Sequence, residues 1–158
     1  MKTTKIFLLL ILVLIFVKCK PEIGKVEDEN QTENKVSEFK IPKNIDDNFN
    51  VFLSYFSKDS VFQVSRVKFP LKVMEVDENN MMETIEKTIE KQEYTKLDFE
   101  YPKDALTREF DRYTQKIKAN GNKVTVEIRG VDNGICTDVY FEKVNGNWFL
   151  KSWNDTSN

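Results

Sequence analysis

The sequence predicts one small α+β domain, in which N-terminal helices pack on one face of an antiparallel sheet. Two observations predict it: apolar residues recur at helical spacing near the start of the domain, and apolar and polar residues alternate between turns in the last third. Helices followed by consecutive strands are typical of an α+β layout. The chain has 158 residues, enough for a leader and one domain of about 100 residues with a single core.

The N-terminus has the pattern of a secretory signal. Lys2 and Lys5 precede an unbroken apolar run over residues 6–17, and Lys18 opens a polar stretch. As a helix, the run would span roughly 18 Å, which is well short of a hydrocarbon core of about 30 Å. A secretory signal is therefore favoured over a transmembrane helix.

Cys19 lies where the apolar run ends, the position of the acylated cysteine in bacterial lipoprotein precursors. We predict a signal peptide over residues 1–19 with Cys19 as the lipid-attachment site. The protein is then lipid-anchored in the cell envelope, at the outer membrane, and the membrane is its partner through this anchor. Lys18 occupies a position that is normally Gly, Ala or Ser, so an uncleaved signal anchor and a soluble secreted product are the alternatives.

Residues 20–43 carry scattered charges of both signs, few apolar residues and no sustained period. Such a segment cannot bury enough apolar surface to order itself, and we predict a disordered tether. The globular domain is expected over residues 44–154.

The first part of the domain predicts two helices. Four apolar residues recur at i, i+3, i+4 and i+7: Phe49, Phe52, Leu53 and Phe56. They indicate an amphipathic helix with Asp46 or Asp47 as its N-cap. A second helix is expected over residues 60–67, opened by Asp59 and unable to continue through Pro70.

The middle of the chain is less clearly patterned. Residues 71–76 alternate as a strand does, but residues 82–90 fit two structures: the spacing of Ile85 and Ile89 favours a helix, and the β-branched residues favour a strand. Residues 100–113 are expected to hold a short helix and a loop. In the last third, residues 123–129, 135–144 and 148–153 alternate, with turns at 132–134 and at Asn145-Gly146, and predict a three-stranded antiparallel meander.

Composition excludes several classes of protein. Lys and Arg total 24 against 26 Asp and Glu, a formal charge of −2, so the chain lacks the positive field that gathers nucleic acid, and no nucleic-acid partner is predicted. The sequence contains no histidine. This rules out Ser-His-Asp and Cys-His hydrolases and His-bearing zinc sites, and we predict neither a metal site nor a cofactor.

Four motifs together point to a family. They are Phe49-x-x-Phe52, Asp59-Ser60-x-Phe62-Gln63-x-x-Arg66-x-x-Phe69-Pro70-Leu71, Ile89-Glu90-Lys91-x-x-Tyr94 and Phe141-x-x-Val144-x-Gly146-x-Trp148. In these motifs the chain resembles an uncharacterised bacterial lipoprotein family, domain of unknown function 4348. Tyr94 departs from the pattern, since the family tends to have Trp there.

The resemblance implies a cone-shaped α+β domain similar to the nuclear-transport-factor-2-like superfamily. In that fold a curved antiparallel sheet wraps an N-terminal helical hairpin. The resemblance also favours a strand at residues 82–90, and we follow it there. The family brings no known activity and no catalytic residues.

Two sets of residues are candidates for binding a ligand. Asp59, Gln63 and Arg66 share one helical face and could bind a carboxylate or a sugar hydroxyl. The alternative, which we prefer, is structural: Arg66 is partly buried and pairs with a carboxylate, and Gln63 satisfies backbone groups. An aromatic platform for a glycan or peptide is the second set: Tyr94, Tyr140, Trp148 and Trp153. Strand alternation places the two tryptophans on opposite faces, so at most one faces the core.

From these observations we predict an envelope-anchored lipoprotein with a non-enzymatic domain that binds a small molecule, glycan or peptide, or serves as a scaffold. The alternative is a small-molecule enzyme of the isomerase or dehydratase type, with a buried carboxylate base such as Glu127 or Asp138.

Overall fold

Helices come first and strands follow in the computed structural model, which describes residues 40–158. A 3-10 helix, Ile45–Asp47, precedes α1, Phe49–Lys58, and α2, Ser60–Ser65. Six strands then complete the described part of the chain: β1 Val67–Asp77, β2 Asn80–Ile89, β3 Tyr113–Asn120, β4 Lys123–Gly130, β5 Cys136–Val144 and β6 Asn147–Asp155. The predicted signal peptide, Cys19 and residues 20–39 of the predicted tether lie outside the described residues.

The stripe of apolar residues in α1 faces the core, as the spacing predicts. Phe52 and Phe56 are fully buried. The predicted N-cap was wrong, because Asn48 caps α1 by accepting hydrogen bonds at Oδ1 from the N–H groups of Asn50 (2.9 Å) and Val51 (3.3 Å). Asp46 lies in the preceding 3-10 helix, and its carboxylate binds Arg66 and the N–H of Trp148.

The second helix begins where the sequence predicts and ends earlier. Asp59 is its N-cap and accepts a hydrogen bond from the N–H of Phe62 (2.8 Å). The helix ends at Ser65, two residues before the predicted end, because Val67 already pairs with Leu150 in the sheet.

No helix in the described part of the chain is long and apolar enough to cross a membrane.

The curved sheet has the strand order β2-β1-β6-β5-β4-β3. The predicted meander is confirmed as β4, β5 and β6, which pair antiparallel. The prediction of an antiparallel sheet needs one correction, since β1 and β6 pair parallel. After β2, the chain crosses to the far edge and enters β3, and the meander from β3 to β6 returns beside β1. Local alternation does not reveal against which strand such a meander closes.

In the middle of the chain, the strand predicted at residues 82–90 is confirmed, and the short helix predicted within residues 100–113 was wrong. The helical spacing at residues 82–90 misleads, since β2 is a strand there, as the resemblance implies. Between β2 and β3, residues 90–112 form turns and bends, and no helix is described within 100–113. No prediction was made for β3. It is an edge strand whose residues from 116 onward are exposed, so its alternation is weak.

Both tryptophans lie on the core side of the sheet, which corrects the prediction from alternation. Trp148 and Leu150 are buried. The pairing of β5 with β6 then shifts between Leu150 and Ser152, which leaves Lys151 as an extra residue. Such a β-bulge reverses the alternation of the residues that follow it. Trp153 therefore packs, half-buried, against the core as well.

Candidate functional site

Arg66 lies at the end of α2 and is tied to the 3-10 helix. Its Nη1 and Nη2 donate hydrogen bonds to Oδ1 (3.2 Å) and Oδ2 (2.9 Å) of Asp46, with the two side chains only 16% and 12% exposed. Nη1 also approaches the backbone oxygen of Trp148 at 3.4 Å. A two-pronged, poorly solvated pair of this kind confirms the prediction that Arg66 is partly buried and paired.

Asp46 is the centre of this cluster. Its Oδ1 accepts a hydrogen bond from the N–H of Trp148 (2.8 Å), and its backbone oxygen accepts from the Trp148 indole N–H (3.1 Å) and from Nζ of Lys143 (2.7 Å). The Asp46 cluster, defined as Asp46, Arg66, Lys143 and Trp148, thus joins the 3-10 helix to α2, β5 and β6. These hydrogen bonds indicate a structural role, since they hold the 3-10 helix against the sheet and α2. We call such a set of hydrogen bonds between elements a clasp.

Gln63 forms a second clasp on the same short helix. The residue is fully buried, and its Nε2 donates to the backbone oxygens of Phe56 (2.5 Å) and Leu97 (2.8 Å). Its Oε1 accepts from the N–H of Leu97 (2.7 Å) and from the hydroxyl of Tyr94 (2.8 Å). Burial raises the pKa of Tyr94, which keeps the hydroxyl protonated as a donor.

The three polar residues that share a helical face in the sequence therefore have separate tasks. Asp59 caps α2, Gln63 holds the segment around Leu97, and Arg66 holds Asp46. These are the structural roles that we preferred. A ligand-binding role for them, and for Tyr94 and Trp148, stays a prediction.

Trp153 lies in a different setting, because it forms part of the wall of a cavity of about 250 Å³. Residues of β1, β4, β5 and β6 and of the segment 97–99 form the walls of this open cavity. Its lining consists of Glu75, Leu97, Asp98, Phe99, Ile128, Thr137, Val139, Trp153 and Asp155. We refer to it below as the Trp153 cavity.

The register of the sheet explains why these side chains meet. Trp153 pairs with Val73 of β1 and Val139 of β5, so the indole sits in an apolar row. Two residues on, Asp155 pairs with Thr137, and its Oδ1 accepts a hydrogen bond from the Thr137 hydroxyl at 3.2 Å. The cavity wall thus passes from apolar to polar along β6.

Other cavities are also found among residues 40–158, and two of them are compared with the Trp153 cavity. One of about 200 Å³ lies between α1 and β3, and one of about 300 Å³ is lined by β4, β5 and β6 alone. The Trp153 cavity draws its walls from four strands and a loop segment and combines an indole with carboxylates. Those features make it the candidate site.

The carboxylates that we considered as catalytic bases point elsewhere. Glu127 and Asp138 alternate with the buried Val126 and Val139, so they lie on the outer face of the sheet. Lys118 lies 2.7 Å from Glu127 and lowers the pKa of that carboxyl. Asp138 pairs with Arg129 at 2.6 Å. The enzyme alternative needs one of these two carboxylates to point inward as a buried base, and their position on the outer face does not support it.

Asp46 is the one carboxyl among residues 40–158 that is buried, and its oxygens are already engaged by Arg66 and Trp148. The geometry therefore offers no support for the enzyme alternative at these three carboxylates.

Two solved structures with a similar fold come from one bacterial genus. An NTF2-like protein of Bacteroides fragilis matches with a TM-score of 0.53 and 22% identity, over 75% of this chain and 50% of that one. The chain thus spans half the length of that relative. A protein of Bacteroides uniformis matches with a TM-score of 0.51 and 22% identity, over 67% of this chain and 74% of that one. None of the curated proteins matches the chain.

These likenesses define the class of the domain, an α+β domain with a nuclear-transport-factor-2-like fold. The chain belongs to the family described as Domain of unknown function (DUF4348), whose family model matches residues 32–155. The family predicted from the four sequence motifs is thereby confirmed.

Proposed function

We propose that the chain is an envelope-anchored lipoprotein whose domain binds a small ligand in the Trp153 cavity and catalyses no reaction. In this proposal α1 and α2 form the helical hairpin of a cone, and the cavity lies at the mouth of that cone. The observation that carries the proposal is the position of Trp153. The bulge in β6 places this tryptophan in the wall of the cavity, beside Val139 and Ile128.

The volume of the cavity argues for a small molecule in preference to a long glycan or a peptide. Ligand cavities for drug-sized molecules measure roughly 300–1,000 Å³, and this one measures about 250 Å³. A metabolite-sized molecule or a single sugar ring fits such a space. The aromatic wall supplies apolar contact and the polar residues at its rim supply orientation.

Filling the cavity tests where ligands bind. Thr137→Phe places a ring in the Trp153 cavity, and we expect it to abolish binding of small molecules that a ligand-observed NMR screen finds with the full chain. Thr88→Phe is the matched control, because Thr88 is exposed on the edge strand β2. Melting curves of both variants verify that they fold.

The location of the site would be wrong if the screened compounds bound Thr137→Phe as tightly as the unchanged protein. A screen that found no small molecule at all would favour a scaffolding role.

The anchor rests on Cys19, at the end of the apolar run. We expect metabolic labelling with a fatty-acid analogue to mark the protein and the Cys19→Ser variant to lose the label. The reason is that the thiol of Cys19 is the acylated group, which would hold the protein at the outer membrane. Label retained in Cys19→Ser would exclude this attachment, and an unlabelled, membrane-bound protein would support the signal anchor.

A further inference from the structure

We propose that the Trp153 cavity takes a small organic cation, a molecule that carries an ammonium group beside an apolar part. The inference rests on the proposed function and adds the chemical class of the ligand. Its starting point is the charge of the wall. Glu75, Asp98 and Asp155 line the cavity, and no lysine or arginine does so among the described residues.

The three carboxylates differ in the partners that they already have. Glu75 accepts a hydrogen bond from Nζ of Lys87 at 2.8 Å, and this ion pair neutralises it. Asp155 accepts at Oδ1 from the Thr137 hydroxyl and from the N–H of Ser157, both neutral donors. Asp98 likewise accepts from a backbone N–H, that of Glu100.

Within residues 40–158, Asp98 and Asp155 therefore have no cationic partner. Two negative charges at the rim of a cavity with apolar walls attract a positive charge and repel a negative one. The ammonium group of a ligand would give these two carboxylates the cationic partner that they lack.

The indole of Trp153 supplies the second element of recognition. A cation over an aromatic face is attracted by the ring, and tryptophan is the strongest such partner. Trp148 already has a cation near its ring, Nζ of Lys143 at 5.5 Å. No described cation of the protein lies over Trp153, whose ring lines the cavity instead.

The spacing of the carboxylates favours an organic cation over a metal ion. They come from β1, the segment 97–99 and β6, and no three acidic, cysteine or histidine side chains of residues 40–158 lie close enough together to hold a metal. Carboxylates spread around a cavity match a molecule that fills the space between them. An alkylammonium group with an apolar body has that shape.

Isosteric probes separate charge from shape. Choline and 3,3-dimethylbutan-1-ol have the same outline, but a carbon replaces the charged nitrogen in the alcohol. With the full chain, we expect choline, followed by calorimetry and by tryptophan fluorescence, to bind at least tenfold more tightly than the alcohol. Asp155→Asn should reduce this preference severalfold. Asp104→Asn, a change at an exposed aspartate outside the cavity wall, should leave it unchanged.

The outcomes distinguish this inference from the proposed function. If choline and the alcohol bind equally and Thr137→Phe abolishes both, the cavity binds ligands but the cationic class is wrong. The cationic class is also wrong if choline, tetramethylammonium and 1,4-diaminobutane all fail to bind while neutral or anionic compounds from the screen do. If nothing in the screen binds, the proposed function is wrong together with the inference.

Discussion

Replacement of Asp46 by alanine is expected to lower the free energy of unfolding by about 3–5 kcal/mol. The change leaves the guanidinium of Arg66 poorly solvated and without its carboxylate, and removal of one partner of a buried ion pair typically has an effect of this size. It also removes the acceptor for the N–H of Trp148. Urea denaturation followed by tryptophan fluorescence measures the loss.

An exposed ion pair gives the matched control for Asp46→Ala. Glu86 pairs with Lys72 at 3.1 Å, but both side chains are more than half exposed, so Glu86→Ala should change the stability by only about 0–1 kcal/mol. Equal losses in the two variants would show that the Asp46 cluster is not a clasp. Stability retained in Asp46→Ala together with loss of ligand binding would instead make the cluster a recognition site.

Gln63→Leu is expected to lower the free energy of unfolding by about 3 kcal/mol or more. Leucine fits the space but cannot form hydrogen bonds. Four polar groups that the Gln63 amide now satisfies would lose their partner: the hydroxyl of Tyr94, both backbone groups of Leu97 and the backbone oxygen of Phe56. Each buried group left without a partner costs about 1–3 kcal/mol. Thermal and urea unfolding measure the change.

Gln92 provides the control for that substitution, because it is exposed in the turn after β2. Gln92→Leu should alter the stability by no more than about 0.5 kcal/mol. A Gln63→Leu variant as stable as the Gln92→Leu variant would mean that water or a relaxed geometry satisfies the four polar groups that lose the Gln63 amide.

Local patterns predicted the elements whose structure depends on near neighbours. The stripe of α1 and the turn at Asn145-Gly146 are properties of a few consecutive residues, and both were confirmed. The edge strand β3 escaped notice because its exposed residues show weak alternation. Residues 82–90 were ambiguous for a related reason, since Ile85 and Ile89 share a face in a helix and in a strand alike.

The parts of the site that depend on distant residues were beyond such patterns. Asp46 bonds to Trp148, which lies 102 positions away, and nothing in the sequence near Asp46 marks it as more than a candidate N-cap. The bulge at Lys151 reverses the phase of β6, so Trp153 faced the wrong side in the prediction. The acidic residues around the cavity come from separate elements and form no sequence motif.

The indole N–H signals of the two tryptophans give the most direct test of the ligand site. The chain contains only Trp148 and Trp153; the first is held in the Asp46 cluster and the second lines the cavity. On titration with the tightest-binding compound of the screen, the NMR signal of Trp153 should shift and that of Trp148 should stay in place. A shift of the Trp148 signal with an unmoved Trp153 signal would contradict a ligand site at the Trp153 cavity.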